Sequence, residues 1–109
     1  MGITKTEFYK DEENKIAAIS KVIGHPARVA ILKYLFELKT CACGELVDEI
    51  GLAQPTISQH LKELKNFGII KGSIDGTKMC YCIDEKKWKE IGEIMSDFYN
   101  QIPTKNDCC

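Results

Sequence analysis

Apolar positions recur with a helical period over most of this chain. Ile16, Ile19, Val22 and Ile23 share one face, and Gly24 can end the helix they imply. Pro26 follows where a helix's first turn accepts it, because the N–H it lacks is not needed there. The helix it opens carries an inward stripe of Ala27, Ile31, Leu35 and Leu38, widened by Leu32 and Phe36. A short third helix is expected over about Gly44 to Ile50, with Gly51 as a left-handed cap and Leu52 and Ala53 in a tight turn. A fourth starts near Gln54–Pro55, buries Ile57, Leu61, Leu64 and Phe67, and stops at Gly68. Two helices joined by so short a turn fit a helix-turn-helix unit.

The period then changes. In "IIKGSIDGTKMCYCI", Asp75-Gly76 between apolar-rich runs predicts a hairpin, because glycine accepts the positive φ of a tight turn. Beyond it Trp88, Ile91, Met95, Phe98 and Ile102 recur at alternating spacings of three and four, a narrow seam suited to a partner helix. The expected fold is mainly α with a two-stranded β wing. Residues 1–109 read as one domain, folded over 12–102, with 1–11 and 103–109 as flexible ends.

Composition narrows the function classes. A chain of 109 residues holds a modest core and gains from the burial a dimer adds. No apolar run approaches the roughly 18 residues of a membrane span, and the N-terminus lacks a signal-peptide apolar region, so a cytoplasmic protein without membrane contact is expected. The net charge of -1 argues against a general polyanion binder. Its distribution says more: residues 54–78 carry Lys62, Lys65, Lys71 and Lys78 against Glu63 and Asp75, while residues 79–109 are net acidic. A nucleic-acid face on one side only is compatible with that. No C-x-x-C pair, phosphate loop or paired-acid motif is present, and His25 and His60 fall on unrelated predicted elements. Neither an enzyme nor a catalytic cofactor is expected.

Helix, helix, helix-turn-helix, two-stranded wing, helix is the order of a winged helix-turn-helix DNA-binding domain. "GHPARVAILKYL", "LAQPTISQHLKELKNFGII" and "DGTKMCYCI" together resemble the ArsR/SmtB family of small dimeric transcriptional repressors, over about residues 15–100. The resemblance implies a homodimer on palindromic double-stranded operator DNA, released by an inducer that is often a soft metal ion. One departure stands out. The residue before Gln54 is usually a serine in that family, a natural N-cap, and here it is Ala53.

With Ile57, Leu61 and Leu64 inward, Gln59, Lys62 and Asn66 face outward, flanked by Thr56 and Ser58 at the helix N-terminal end. Gln59 can read adenine; Thr56 and Ser58 can take bases or phosphates; Gln54 and Lys62 suit phosphate. His60 flanks the interior and is expected as a packed, hydrogen-bonded residue. Lys78, beside the Asp75-Gly76 turn, either touches the DNA backbone from the wing tip or is a solvated turn lysine.

Six cysteines in a reducing compartment point to metal binding or redox chemistry rather than a disulfide framework. In "KTCACGELVDEI", Cys41 and Cys43 lie two apart at a predicted helix entry. Residues so spaced point about 200° apart in a helix, so they can share an ion only where the backbone is not yet helical. The helix N-terminus also favours thiolate, the species that binds soft metals. "CAC" is similar to the cysteine pair of the family's arsenic, cadmium and lead sensors. That likeness implies a thiophilic inducer, As(III) first, then Sb(III), Cd(II) or Pb(II). As(III) prefers three thiolates. Some arsenic sensors carry a third cysteine where this chain has Leu46, which leaves Cys108 or Cys109 as the candidate third thiol. Cys80 and Cys82 share a strand face about 7 Å apart, at or beyond the reach of a strain-free disulfide, and read as small packing residues. The family's other metal site uses histidines and carboxylates on the last helix; residues 85–101 contain no histidine, so a zinc or nickel site of that type is not expected. Two alternatives remain open for the switch: oxidation joining Cys41 or Cys43 to Cys108, Cys109 or a partner chain, and a non-metal inducer.

Overall fold

Acidic residues open the first helix. Asp11, Glu12 and Glu13 set negative charge at the positive end of the dipole of α1 (Asp11–Ile23), and the Glu13 carboxylate accepts from the Lys10 backbone N–H at 3.1 Å. The computed structural model describes residues 6–38, 41–43, 50–73 and 80–103, apart from the side chains of Thr6 and Cys43. Residues 44–49 of the expected third helix, the Asp75-Gly76 turn, Lys78, Cys108 and Cys109 lie outside the described residues. A 3-10 turn at Thr6–Phe8 precedes α1, inside the stretch expected to be a flexible end.

Helix α2 (Pro26–Leu38) is capped by a histidine. The His25 ring Nδ1 accepts from the Ala27 N–H at 3.0 Å, and the His25 carbonyl accepts from Arg28 and Val29 at 2.9 and 3.0 Å. Helix α3 (Gln54–Phe67) lacks such help: Ala53 has extended N-cap geometry, φ -65 and ψ 151, and no side-chain cap hydrogen bond. Ala53→Ser should therefore stabilise the fold by about 1 kcal/mol, read as an upward shift in the thermal midpoint. The C-terminal end is better closed. Gly68 (φ 98) donates its N–H to Lys65 at 2.9 Å and Ile69 donates to Leu64 at 3.0 Å, the doubly bonded left-handed cap, with Leu64 and Ile69 both buried.

Strands β1 (Ala42–Cys43), β2 (Ile70–Ser73) and β3 (Cys80–Ile83) form an antiparallel sheet in the order β1-β3-β2. The expected two-stranded wing is β2 and β3; β1 adds a short third strand to it. Gly72 (φ 127) sits so close to β3 that a Cβ there would lie 2.2 Å from the Cys80 carbonyl oxygen, which leaves glycine as the residue that fits. Helix α4 (Glu85–Tyr99) follows at once, its N-cap Asp84 accepting from the Lys87 N–H at 3.1 Å.

Ile31, Ile57, Leu61, Leu64 and Tyr81 fill the core between α2, α3 and the sheet. The predicted seam on the last helix divides in two. Ile91 and Met95 are buried within the protomer, where α4 packs against α1, whereas Phe98, Tyr99 and Ile102 stay exposed. The narrow apolar stripe is thus partly spent on the chain's own first helix, and a partner is left the C-terminal portion.

Candidate DNA-binding surface and thiol cluster

Burying Ile57, Leu61 and Leu64 fixes the rotation of α3, because residues three and four apart share a face. Gln54, Thr56, Gln59, Lys62 and Asn66 are exposed on it. Ser58 differs: it is half-buried, and its hydroxyl accepts from the Gln54 side-chain amide at 3.1 Å. The Gln59 amide donates to Glu63 at 3.1 Å, a contact that must open before Gln59 can reach a base.

His60 lies beneath this face, 9% exposed. Its Nδ1 accepts from Arg28 Nε at 3.1 Å, and its ring stands 4.5 Å, centroid to centroid, from that of His25. The two histidines that seemed to sit on unrelated elements are therefore neighbours, joining the start of α2 to α3. Their arrangement is structural, with one capping a helix and the other accepting from an arginine. Burial first, then His25 and Arg28, hold His60 below its ordinary value of 6.5. Above that value His60 is neutral in the folded and the unfolded chain alike. As pH falls below it the unfolded chain takes up the proton first, so stability is lost with acidification until the folded value is passed. The thermal midpoint should fall between about pH 7.5 and about pH 5.5, and His60→Gln should flatten that part of the profile.

The cysteines are arranged by the sheet rather than by a helix entry. Cys41 is exposed just before β1, and Cys43 lies in that strand, so both are on extended backbone. The ladder pairs Ala42 with Tyr81 and Cys43 with Cys80. One step further Cys41 meets Cys82, and the Cys82 thiol donates a hydrogen bond to the Cys41 sulfur. That bond, then burial, pushes the Cys82 thiol above its ordinary value, with the Lys71 ammonium pulling the other way. Cys80 is exposed and disulfide-bonded. The expectation that Cys80 and Cys82 are packing residues is corrected: Tyr81, between them, is the residue that packs inward. Among the described residues no group of three or more His, Cys, Asp or Glu side chains is gathered to hold a metal ion; the described free thiols are the Cys41–Cys82 pair.

Residues 25–71 match the family model described as bacterial regulatory protein, arsR family. An uncharacterised HTH-type transcriptional regulator of Methanocaldococcus jannaschii is 38% identical over 87 residues, 80% of this chain and 98% of that protein. The chain belongs to the ArsR family. The HTH-type transcriptional repressor SmtB of Mycobacterium tuberculosis (strain H37Rv) is 39% identical over 61 residues, 56% of this chain and 44% of that one. The fold is that of HlyU from Vibrio cholerae, with a TM-score of 0.63 at 24% identity, covering 85% of this chain and all of that one. ArsR-family chains are helix-turn-helix transcriptional regulators, not enzymes, and the exposed face of α3 is the DNA-facing element of that fold. Among the described residues, no helix is long and apolar enough to cross a membrane.

Cys82 is the residue whose role the sequence left hidden. A signal was present: "CAC" and "CYC" repeat one spacing, each with an apolar residue between the cysteines, as two paired strands with the same face outward require.

Proposed function

We propose that this ArsR-family chain is a cytoplasmic homodimeric repressor, binding a palindromic operator and released by a thiophilic ion, As(III) first, then Sb(III), Cd(II) or Pb(II). The observation that carries this reading is the hydrogen-bonded Cys41–Cys82 thiol pair on extended backbone shortly before the helix-turn-helix. Thiolates are the ligands such ions prefer over oxygen or nitrogen donors. The pair falls short of the three thiolates As(III) takes, so another cysteine must join it. Gln59 and Thr56 would read base edges, with Gln54 and Lys62 on phosphates, Ser58 supporting Gln54, and Lys78 reaching the backbone from the wing. Release is linkage: the ion binds the DNA-free conformation better and shifts the population toward it.

Selection of a palindromic duplex from a random pool, followed by a thiophilic-ion panel on the complex, tests both halves. Operator binding that no ion of the panel alters would remove ion sensing and leave the repressor. A second reading, a thiol-oxidation switch, is favoured by the disulfide at Cys80. Peroxide treatment followed by non-reducing mass spectrometry should then show a new cross-link together with altered DNA affinity. DNA binding unchanged by peroxide would exclude it.

A further inference from the structure

Six cysteines make up the chain's thiol complement, and the sheet register brings four of them to neighbouring positions. Ala42 and Tyr81 are opposite each other and buried. Residues alternate faces along a strand, so the positions on either side of that pair belong to the opposite face. Those positions are Cys41 with Cys82 on one rung and Cys43 with Cys80 on the other. Directly opposite residues lie about 4.5–5.5 Å apart at Cβ, and the two rungs lie about 7 Å apart along the strands. β2 continues both rows, Lys71 beside Cys82 and Ser73 beside Cys80. An open cleft of about 830 Å³ reaches Cys41 and Cys82, walled by Phe36 and Trp88, whose rings are 5.4 Å apart, and bordered by Lys71, Lys86 and Lys89. Positive charge beside thiols favours the thiolate.

We propose that the wing strand completes the ion site: Cys82 is a ligand beside Cys41, the Cys43–Cys80 rung supplies the rest, and Cys108 and Cys109 are dispensable. This rests on the reading of the chain as an ion-released regulator. The site then lies within one protomer and ties the wing to the segment that leads into the helix-turn-helix. With arsenite the reaction is As(OH)3 plus three thiols giving As(SR)3 plus three waters. Three As–O bonds and three S–H bonds break, three As–S and three O–H bonds form, and no electrons change hands. The fourth thiol suits Cd(II), which tetrahedral thiolates hold well. Cys80 contributes only once its disulfide has been reduced, so a phosphine reductant must be present.

The experiment uses the full chain with a non-thiol phosphine reductant and arsenite itself as the probe. Binding is followed by isothermal titration and by counting the thiols left reactive. Wild type should take one arsenite per protomer and lose three reactive thiols. Cys82→Ser and Cys41→Ser should each weaken binding by roughly 100-fold or more, since losing even an outer-shell partner of a ligand costs about 10–100-fold. The double variant C108S/C109S should bind as wild type does. Alkylation footprinting of wild type gives a readout free of any folding defect in the variants: arsenite should protect Cys82 from iodoacetamide. Wild-type binding with Cys82 unprotected, or binding lost in C108S/C109S, would overturn the wing site while leaving the ion-responsive repressor standing. No arsenite uptake by wild type would remove both.

Discussion

Gln59→Ala combined with Lys62→Ala should lower affinity for the selected operator on the order of 100-fold or more, with little change in thermal midpoint. Both side chains are exposed on α3 and none of the buried core depends on them. A bidentate glutamine–adenine contact is worth about 1–3 kcal/mol, and a two-fold dimer makes it twice. Lys62 adds a phosphate contact whose loss weakens binding to every sequence and flattens the salt dependence. The single variants separate the two roles: Gln59→Ala should relax preference at one base position, and Lys62→Ala should not. Anisotropy titration at two salt concentrations reads both. Unchanged operator affinity in the double variant would remove α3 from the DNA interface.

Phe98→Glu with Ile102→Glu should turn the dimer into a monomer and cost roughly 100- to 10,000-fold in operator affinity, because a tethered second half-site is lost. Phe98 is 47% exposed and Ile102 76% exposed, with Tyr99 beside them at 67%. A protomer of this size leaves such a cluster in water only at a cost, and a second copy is the occupant that places two recognition helices roughly 34 Å apart. Ile91 is the wrong place for this test. It is 3% exposed inside the protomer, so a charge there would unfold the chain and say nothing of assembly. Sedimentation at micromolar protein is the measurement, with circular dichroism to show that the helices persist. A dimer that survives both charges would place the interface elsewhere.

Much of the fold was legible because local signals agreed. Pro26 opens α2 and Gly68 closes α3 at the positions their backbone chemistry favours, and the inward stripes of both helices are the observed core. What was not legible depended on contacts between elements. Strand β1 is two residues long and exists by pairing with β3, so no periodicity could announce it. Without β1, Cys80 and Cys82 looked like wing residues without a partner, and the third thiol was sought on the tail. The seam on α4 was read correctly as apolar, but spacing alone cannot tell a chain's own first helix from another copy's. His60 was placed inside by its angle on the helix, while its neighbours Arg28 and His25 are a product of how α2 meets α3.

The central claim is that a thiophilic ion held by Cys41 and its neighbours releases this ArsR-family chain from DNA. Its most direct test is arsenite titrated into the complex of wild-type protein with fluorescent operator, under phosphine reductant, with cadmium as the second ion. Operator affinity should fall by about 5- to 150-fold or more, saturating at one ion per protomer, and Cys41→Ser should abolish the response while binding operator normally. Operator affinity unmoved by either ion, in protein whose thiols are shown to be reduced, would contradict it.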